Sequence, residues 1–305
     1  MMSSRPVKGR HLHLLARLGI VAAVVLGILG TAELGMHILG FGKVMTFERD
    51  PRFGYAMRRS QVVSTYGDPI ETNQLGLRGA PLVEPKPRGV VRVLFLGGSI
   101  PYGGARIFEG DLFCRLVETL TREGGSRVEA VNVSAPGWGP QNWTAWIEAN
   151  GLLDADAVVM VIATGDRARP FATLESQALV EAAPWLRLRS LWLTLRAIRP
   201  PGPSTEETLT PNRSALERLK TRIGVTPLFV VFVPAAEPDP NPELWEPLER
   251  QFPRASDLRE RFSPEDFLDA EQLSVAGHRV VAEAIYARLQ PLLAELATAN
   301  TASGF

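Results

Sequence analysis

The chain has 305 residues, with 33 Lys and Arg against 33 Asp and Glu, so its formal charge is zero. No basic stripe runs along it, which argues against a nucleic-acid partner. Its single cysteine, Cys114, excludes an intrachain disulfide; set among helix-periodic apolar residues in DLFCRLVETL, it reads as a buried core thiol.

The first element is N-terminal. Arg5, Lys8, Arg10 and Arg17 precede an uncharged run, LGIVAAVVLGILGTA at 18–32, which continues to Leu39 with one acid, Glu33. That length suits a membrane span. Positive charge ahead of the run and little after it predicts the N-terminus inside the cell and the bulk outside. We read residues 1–40 as a cytoplasmic tail and a retained single-pass anchor, because no A-x-A cleavage site ends the run; a cleaved signal peptide is the rival. Residues 41–89 carry recurrent Pro and Gly without a lasting period. They read as a juxtamembrane segment draped on the domain, with a Pro-rich linker at 81–88.

From residue 90 strands and helices alternate. VVRVLFLGG is a short continuous apolar run, as a strand buried on both faces requires. GDLFCRLVETLTRE places Leu112, Phe113, Leu116, Val117 and Leu120 on one helical face. VEAVNVSA predicts a second strand, PQNWTAWIEANG a helix and DAVVMVIATG a third strand. NRSALERLKTRIG predicts a helix ended by Gly224, and TPLFVVFVPA a fourth strand. SVAGHRVVAEAIYARLQ predicts the last helix, with Ser274 as its N-cap. Alternation of this kind implies a parallel, three-layer α/β domain, here residues 90–298, followed by a tail at 299–305. Residues 168–212 form an insertion. Within it APWLRLRSLWLTLRAIRP reads as an amphipathic helix with a basic face.

The strand ends carry the chemistry, because sites in such sheets form where the loops converge. Strand one ends at Gly97-Gly98-Ser99, strand two in NVSAPGWG with Gly137, and strand three at Thr164-Gly165-Asp166-Arg167. Asp269 lies just before the last helix, in DFLDAEQLSVAGH. Glycines and short polar residues on one rim suit a serine that attacks while backbone amides hold an oxyanion. A phosphate loop fails on spacing, since neither G-x-G-x-x-G nor Gly-Lys-Ser/Thr is present. The G-x-S-x-G elbow is absent too. A metal site on Asp166, Asp269 and Glu271 lacks any supporting His or Cys, and no cofactor is implied.

LFLGGSIPYG, VNVSAPGWG and their order resemble the SGNH, or GDSL-type, hydrolases over about residues 90–296. NQLGLRG at 73–79 and the anchor ending AELGMHILG resemble the membrane-anchored bacterial branch. The resemblance implies a flavodoxin-like three-layer α/β/α fold with a parallel sheet, and an ester hydrolase or O-acyl transferase at the inner membrane, its domain on the periplasmic side, acting on an acylated envelope glycan or lipid. It implies Ser99 as nucleophile and Gly137 as an oxyanion amide. Two positions depart from the pattern. Asp166 stands where the oxyanion Asn is expected, and an ionised carboxylate only accepts hydrogen bonds; it would repel the developing charge unless protonated or turned toward Arg167 or Arg169. Gln272 stands where the catalytic His is expected, and an amide is no base. Of the four histidines, His11, His13 and His37 lie in or beside the apolar run, so His278 is the one base candidate, with Asp269 to orient it. A weak or altered enzyme and a non-catalytic binding or scaffold protein of envelope polysaccharide handling are both consistent with these residues.

Overall fold

The computed structural model describes residues 8–39, 45–64, 69–177, 179 and 206–302. The amphipathic helix expected at 183–200 lies outside the described residues. Helix α1, Lys8–Leu39, carries a 22-residue apolar stretch, Leu15–Met36, none of which is buried against the described chain. Apolar side chains point outward on every side of it, a pattern that belongs in a hydrocarbon or a closed core. Its length and composition suit a membrane crossing, as an anchor or as a signal sequence alike.

Two small antiparallel hairpins follow. They pair β1 (Phe47–Asp50) with β2 (Gly54–Met57), and β3 (Val62–Ser64) with β4 (Pro69–Glu71). Then come the strands of the main sheet: β5 (Val91–Gly97), β6 (Val128–Ser134), β7 (Ala157–Ala163), β8 (Leu228–Val233) and β9 (Ser256–Asp257). Their order is β6-β5-β7-β8-β9, every pair parallel. The chain steps from β5 to one side, then crosses back to β7 on the other. This is the flavodoxin-like order, and the reversal leaves a crevice at the carboxyl ends of β5 and β7.

The helices are α2 (Ser99–Tyr102), α3 (Phe113–Glu123), α4 (Pro140–Asn150), α5 (Glu206–Ile223), α6 (Glu246–Gln251) and α7 (Val275–Ala302). Successive strand residues point to opposite faces, and both faces are covered. Val93, Phe95, Val159 and Val161 pack with Phe113 and Val117 of α3 and Val281 and Ile285 of α7. Leu94, Leu96, Met160 and Ile162 pack with Trp143 and Ile147 of α4 and Leu216 and Leu219 of α5. That double burial is why the strands read as unbroken apolar runs. The helix expected from Asn212 starts earlier, at Glu206, and runs through Pro211. The proline removes one backbone donor, while the buried Leu216, Leu219 and Ile223 hold the helix on the sheet.

Residues 45–82 are more than draped. Phe47, Phe53, Tyr55, Met57, Leu77 and Leu82 are buried in the core on the α4 side. Arg78 enters the interior completely and donates to the carbonyls of Tyr102 (2.8 Å), Gly104 (2.6 Å) and Ile107 (2.7 Å). Its Nε pairs with Glu109 at 2.9 Å. One guanidinium thus ties the N-terminal segment to the loop that follows α2. Replacing Arg78 by Met strands three carbonyls and leaves Glu109 with Arg115 alone, so the variant is expected to lose about 3 kcal/mol or more of stability. Thermal unfolding of the purified full chain checks this.

Candidate functional site

Strand β5 ends at Gly97 and the chain turns at once into α2, which Ser99 opens. Gly98 allows the turn because of what lies against it. A Cβ there would stand 2.5 Å from the Trp138 carbonyl oxygen and 2.8 Å from Asp166 Oδ1. The loops after β6 and β7 therefore press directly on the residue before Ser99.

Gly137, after β6, donates its N–H to Ser99 Oγ at 3.4 Å. It holds φ +77°, a conformation that side chains rarely adopt. The neighbouring carbonyl of Pro136 accepts from Tyr55 on β2. Trp138 is wedged edge-on against Phe53 and Tyr55, with ring centres 5.9 and 6.2 Å apart. The amide that faces the serine is thus held by the N-terminal hairpin. Gln177 lies over Gly137, its Oε1 2.0 Å from where a Cβ would stand. Sequence reasoning passed over Tyr55 and Gln177, and no local pattern singles them out.

Asp166 sits in the single turn after β7, almost fully buried. Its Oδ2 accepts from the Ala163 N–H at 3.0 Å, and its Oδ1 lies 3.4 Å from Arg169 Nε. Burial pushes its carboxyl up to about 6, against the pull of Arg169. Arg169 is equally buried, and its Nη2 donates to Glu271 Oε2 at 3.1 Å. Arg167 turns the other way, to Asp239 at 2.7 Å and over the Trp245 ring. Asn212 of α5 pins the turn by donating to the carbonyls of Arg167 and Arg169. Ser99, Ile100, Asp166, Arg169, Ala235 and Glu271 are among the residues lining one small pocket of about 10 Å³.

The last loop corrects two expectations. His278 does not serve Ser99. It lies one turn into α7, fully buried, stacked on Phe113 with ring centres 5.8 Å apart. Its Nδ1 accepts the Phe113 N–H at 3.2 Å, and among the described residues its Nε2 has no hydrogen-bond partner. Burial lowers its pKa to about 3, so it stays neutral inside the core. Asp269 likewise orients no imidazole. It pairs with Arg106, and its Oδ1 accepts the N–H groups of Glu271 and Gln272 at 3.1 and 3.0 Å. The Gln272 amide lies over Gly104, within 3.5 Å of Arg106 Nη2. Glu271, not Gln272, lines the serine pocket. Asp166, Asp269 and Glu271 are each paired with an arginine, an arrangement ill suited to a cation. Ser274 caps α7 as expected, accepting the Gly277 N–H on Oγ at 3.3 Å. Cys114 is buried, its thiol pushed up to about 12.

No protein-family profile matches the chain, and neither does any curated protein. Among solved structures, a two-domain esterase (CEX) active on acetylated mannans is 16% identical over 67% of this chain, with a TM-score of 0.45. This chain spans 50% of that esterase's length. A lipase/acylhydrolase from Enterococcus faecalis is 15% identical, covering 66% of this chain and 96% of its own, with a TM-score of 0.45. TesA is 15% identical, covering 66% and 99%, with a TM-score of 0.44. At such distances these likenesses assign no residue a role.

Proposed function

We propose that the chain is an SGNH- or GDSL-type serine ester hydrolase or O-acyl transferase of low turnover. Its substrate is an acyl ester on an envelope glycan or lipid, and its N-terminal helix anchors it in the bacterial inner membrane with the domain on the periplasmic side. The observation that carries this reading is the Gly137 N–H on Ser99 Oγ, at the mouth of the crevice between β5 and β7. The two blocks that resemble the family, LFLGGSIPYG and VNVSAPGWG, supply those two groups.

The chemistry follows from the groups present. Ser99 Oγ attacks the ester carbonyl and gives its proton to solvent. The amide of Gly137 meets the oxygen as it gains charge. The ester C–O bond then breaks, and the leaving alkoxide takes a proton from water. Water releases the acyl group from Ser99, or a second alcohol accepts it. No imidazole takes the serine proton, and a positioned base is ordinarily worth about 10²–10⁴ in rate, so turnover is slow. The position of His278 favours a second reading, in which the pocket binds an acylated ligand without cleaving it.

A fluorophosphonate probe separates the two. The hydrolase reading expects slow covalent labelling, mapped to Ser99 by mass spectrometry, and cleavage of p-nitrophenyl acetate above a Ser99→Ala control. Absence of both leaves the binding protein.

A further inference from the structure

The third loop poses a chemical problem that rests on the proposed serine chemistry. An oxyanion needs a donor there, and Asp166 is an acceptor when ionised. Asp166 is also already spent. One oxygen is held by the Ala163 amide and the other faces Arg169.

Arg169 shows the opposite imbalance. Its side chain is only 7% exposed, yet among the described residues its buried Nε makes no hydrogen bond, and its one ion-pair contact is Asp166 Oδ1 at 3.4 Å. A buried charged donor with no hydrogen bond is incompletely satisfied, and Arg169 lines the serine pocket. Its Nη2 is held by Glu271, whose side chain is 45% exposed. Ion pairs as exposed as that carboxylate hold weakly. The space beside them is kept open by Gly165, where a Cβ would come within 3.0 Å of Arg169 Nη2 and 3.2 Å of Glu271 Oε1.

We infer that Arg169 is the third-loop donor: its guanidinium takes the carbonyl oxygen of the bound ester, Asp166 positions it, and Glu271 is the counter-ion that the ester displaces. A cationic donor in a buried pocket is strengthened as the oxygen becomes negative. It also offsets the repulsion of Asp166. The substitution of Asn by Asp is thereby a change of donor rather than its loss.

Labelling rates at Ser99 test this. Removing one oxyanion donor typically costs about 10²–10³ in rate, so Arg169→Gln is expected to slow fluorophosphonate labelling by that factor. Arg169→Lys is expected to recover part of it. Glu271→Gln, at a half-exposed side chain that leaves the fold intact, is expected to speed labelling several-fold by freeing the guanidinium. A folded Glu271→Gln protein that labels no faster, or a folded Arg169→Gln protein that labels like the parent, overturns the inference and leaves the serine reading standing. A second arm needs no nucleophile. Methylphosphonate is expected to bind Ser99→Ala, more tightly with Glu271→Gln added and not at all with Arg169→Gln added. Arg169-dependent binding in a protein that never labels sinks the hydrolase and keeps Arg169 as the ligand's donor. Binding indifferent to Arg169 sinks the inference.

Discussion

Gln272→His is expected to raise cleavage of p-nitrophenyl acetate by about 10²–10⁴, the ordinary worth of a positioned base. The surroundings are already arranged for it. Asp269 holds the backbone N–H of residue 272, and its carboxylate and the Gln272 amide share Arg106. An imidazole placed there starts beside a carboxylate that can orient it. The neighbouring residue, Glu271, already lines the pocket of Ser99. The gain should vanish when Ser99→Ala is added. It should also rise with pH through the imidazole range, near 6.5, because only the neutral ring accepts a proton. A folded variant with unchanged activity means that the loop cannot deliver a base to Ser99, and position 272 is then no part of the site. Asp269 is half-exposed and shared with an arginine, so the expected gain lies toward the lower end of the range.

Acid unfolding is the second large effect, and two buried groups oppose each other in it. The His278 pKa falls from 6.5 to about 3 on folding. Between those values the unfolded chain binds more protons, so stability falls as pH drops from 6.5 toward 3. The full window amounts to roughly 5 kcal/mol at about 1.36 kcal/mol per unit. The Asp166 pKa rises from 3.8 to about 6. There the folded chain binds more protons, so stability increases as pH drops from 6 toward 4, by roughly 3 kcal/mol. Between pH 6 and 4 the two nearly cancel. Urea unfolding of the full chain in detergent is therefore expected to show a plateau there. His278→Gln keeps an acceptor for the Phe113 N–H and should turn the plateau into a rise on acidification. Asp166→Asn should turn it into a steady fall. Parallel profiles for all three proteins refute the assignment. Asp239 and Asp257, held low chiefly by Arg167 and Arg259, act below this window and equally in each variant.

The sheet was legible because double burial leaves a plain trace. VRVLFLG and AVVMVIA have no polar alternation, and Gly97-Gly98-Ser99 marks the exit from the first. The convergence of Ser99, Gly137 and Asp166 followed from their places at the ends of successive strands of a parallel sheet. The hairpins between residues 47 and 71 were not legible. Their strands are three or four residues long, and what fixes them comes from far away. Asn142 Nδ2 donates to the Phe53 carbonyl at 3.0 Å, and Arg78 reaches across to residues 102–107. Such pairings leave no periodicity. His278 was misplaced for a related reason. Six residues separate it from Gln272, but capping by Ser274 starts a helix whose first turn rotates it inward, onto Phe113.

The early start of the core at Phe47 sets a tether. Five residues, 40–44, join the end of α1 at Leu39 to Met45. Extended chain covers at most about 3.6 Å per residue, so this link reaches roughly 20 Å. On the anchored reading, the start of the domain at Met45 stays within that reach of the bilayer surface. On that same reading, ester groups near the membrane surface fall within range, while those on distant polymer do not.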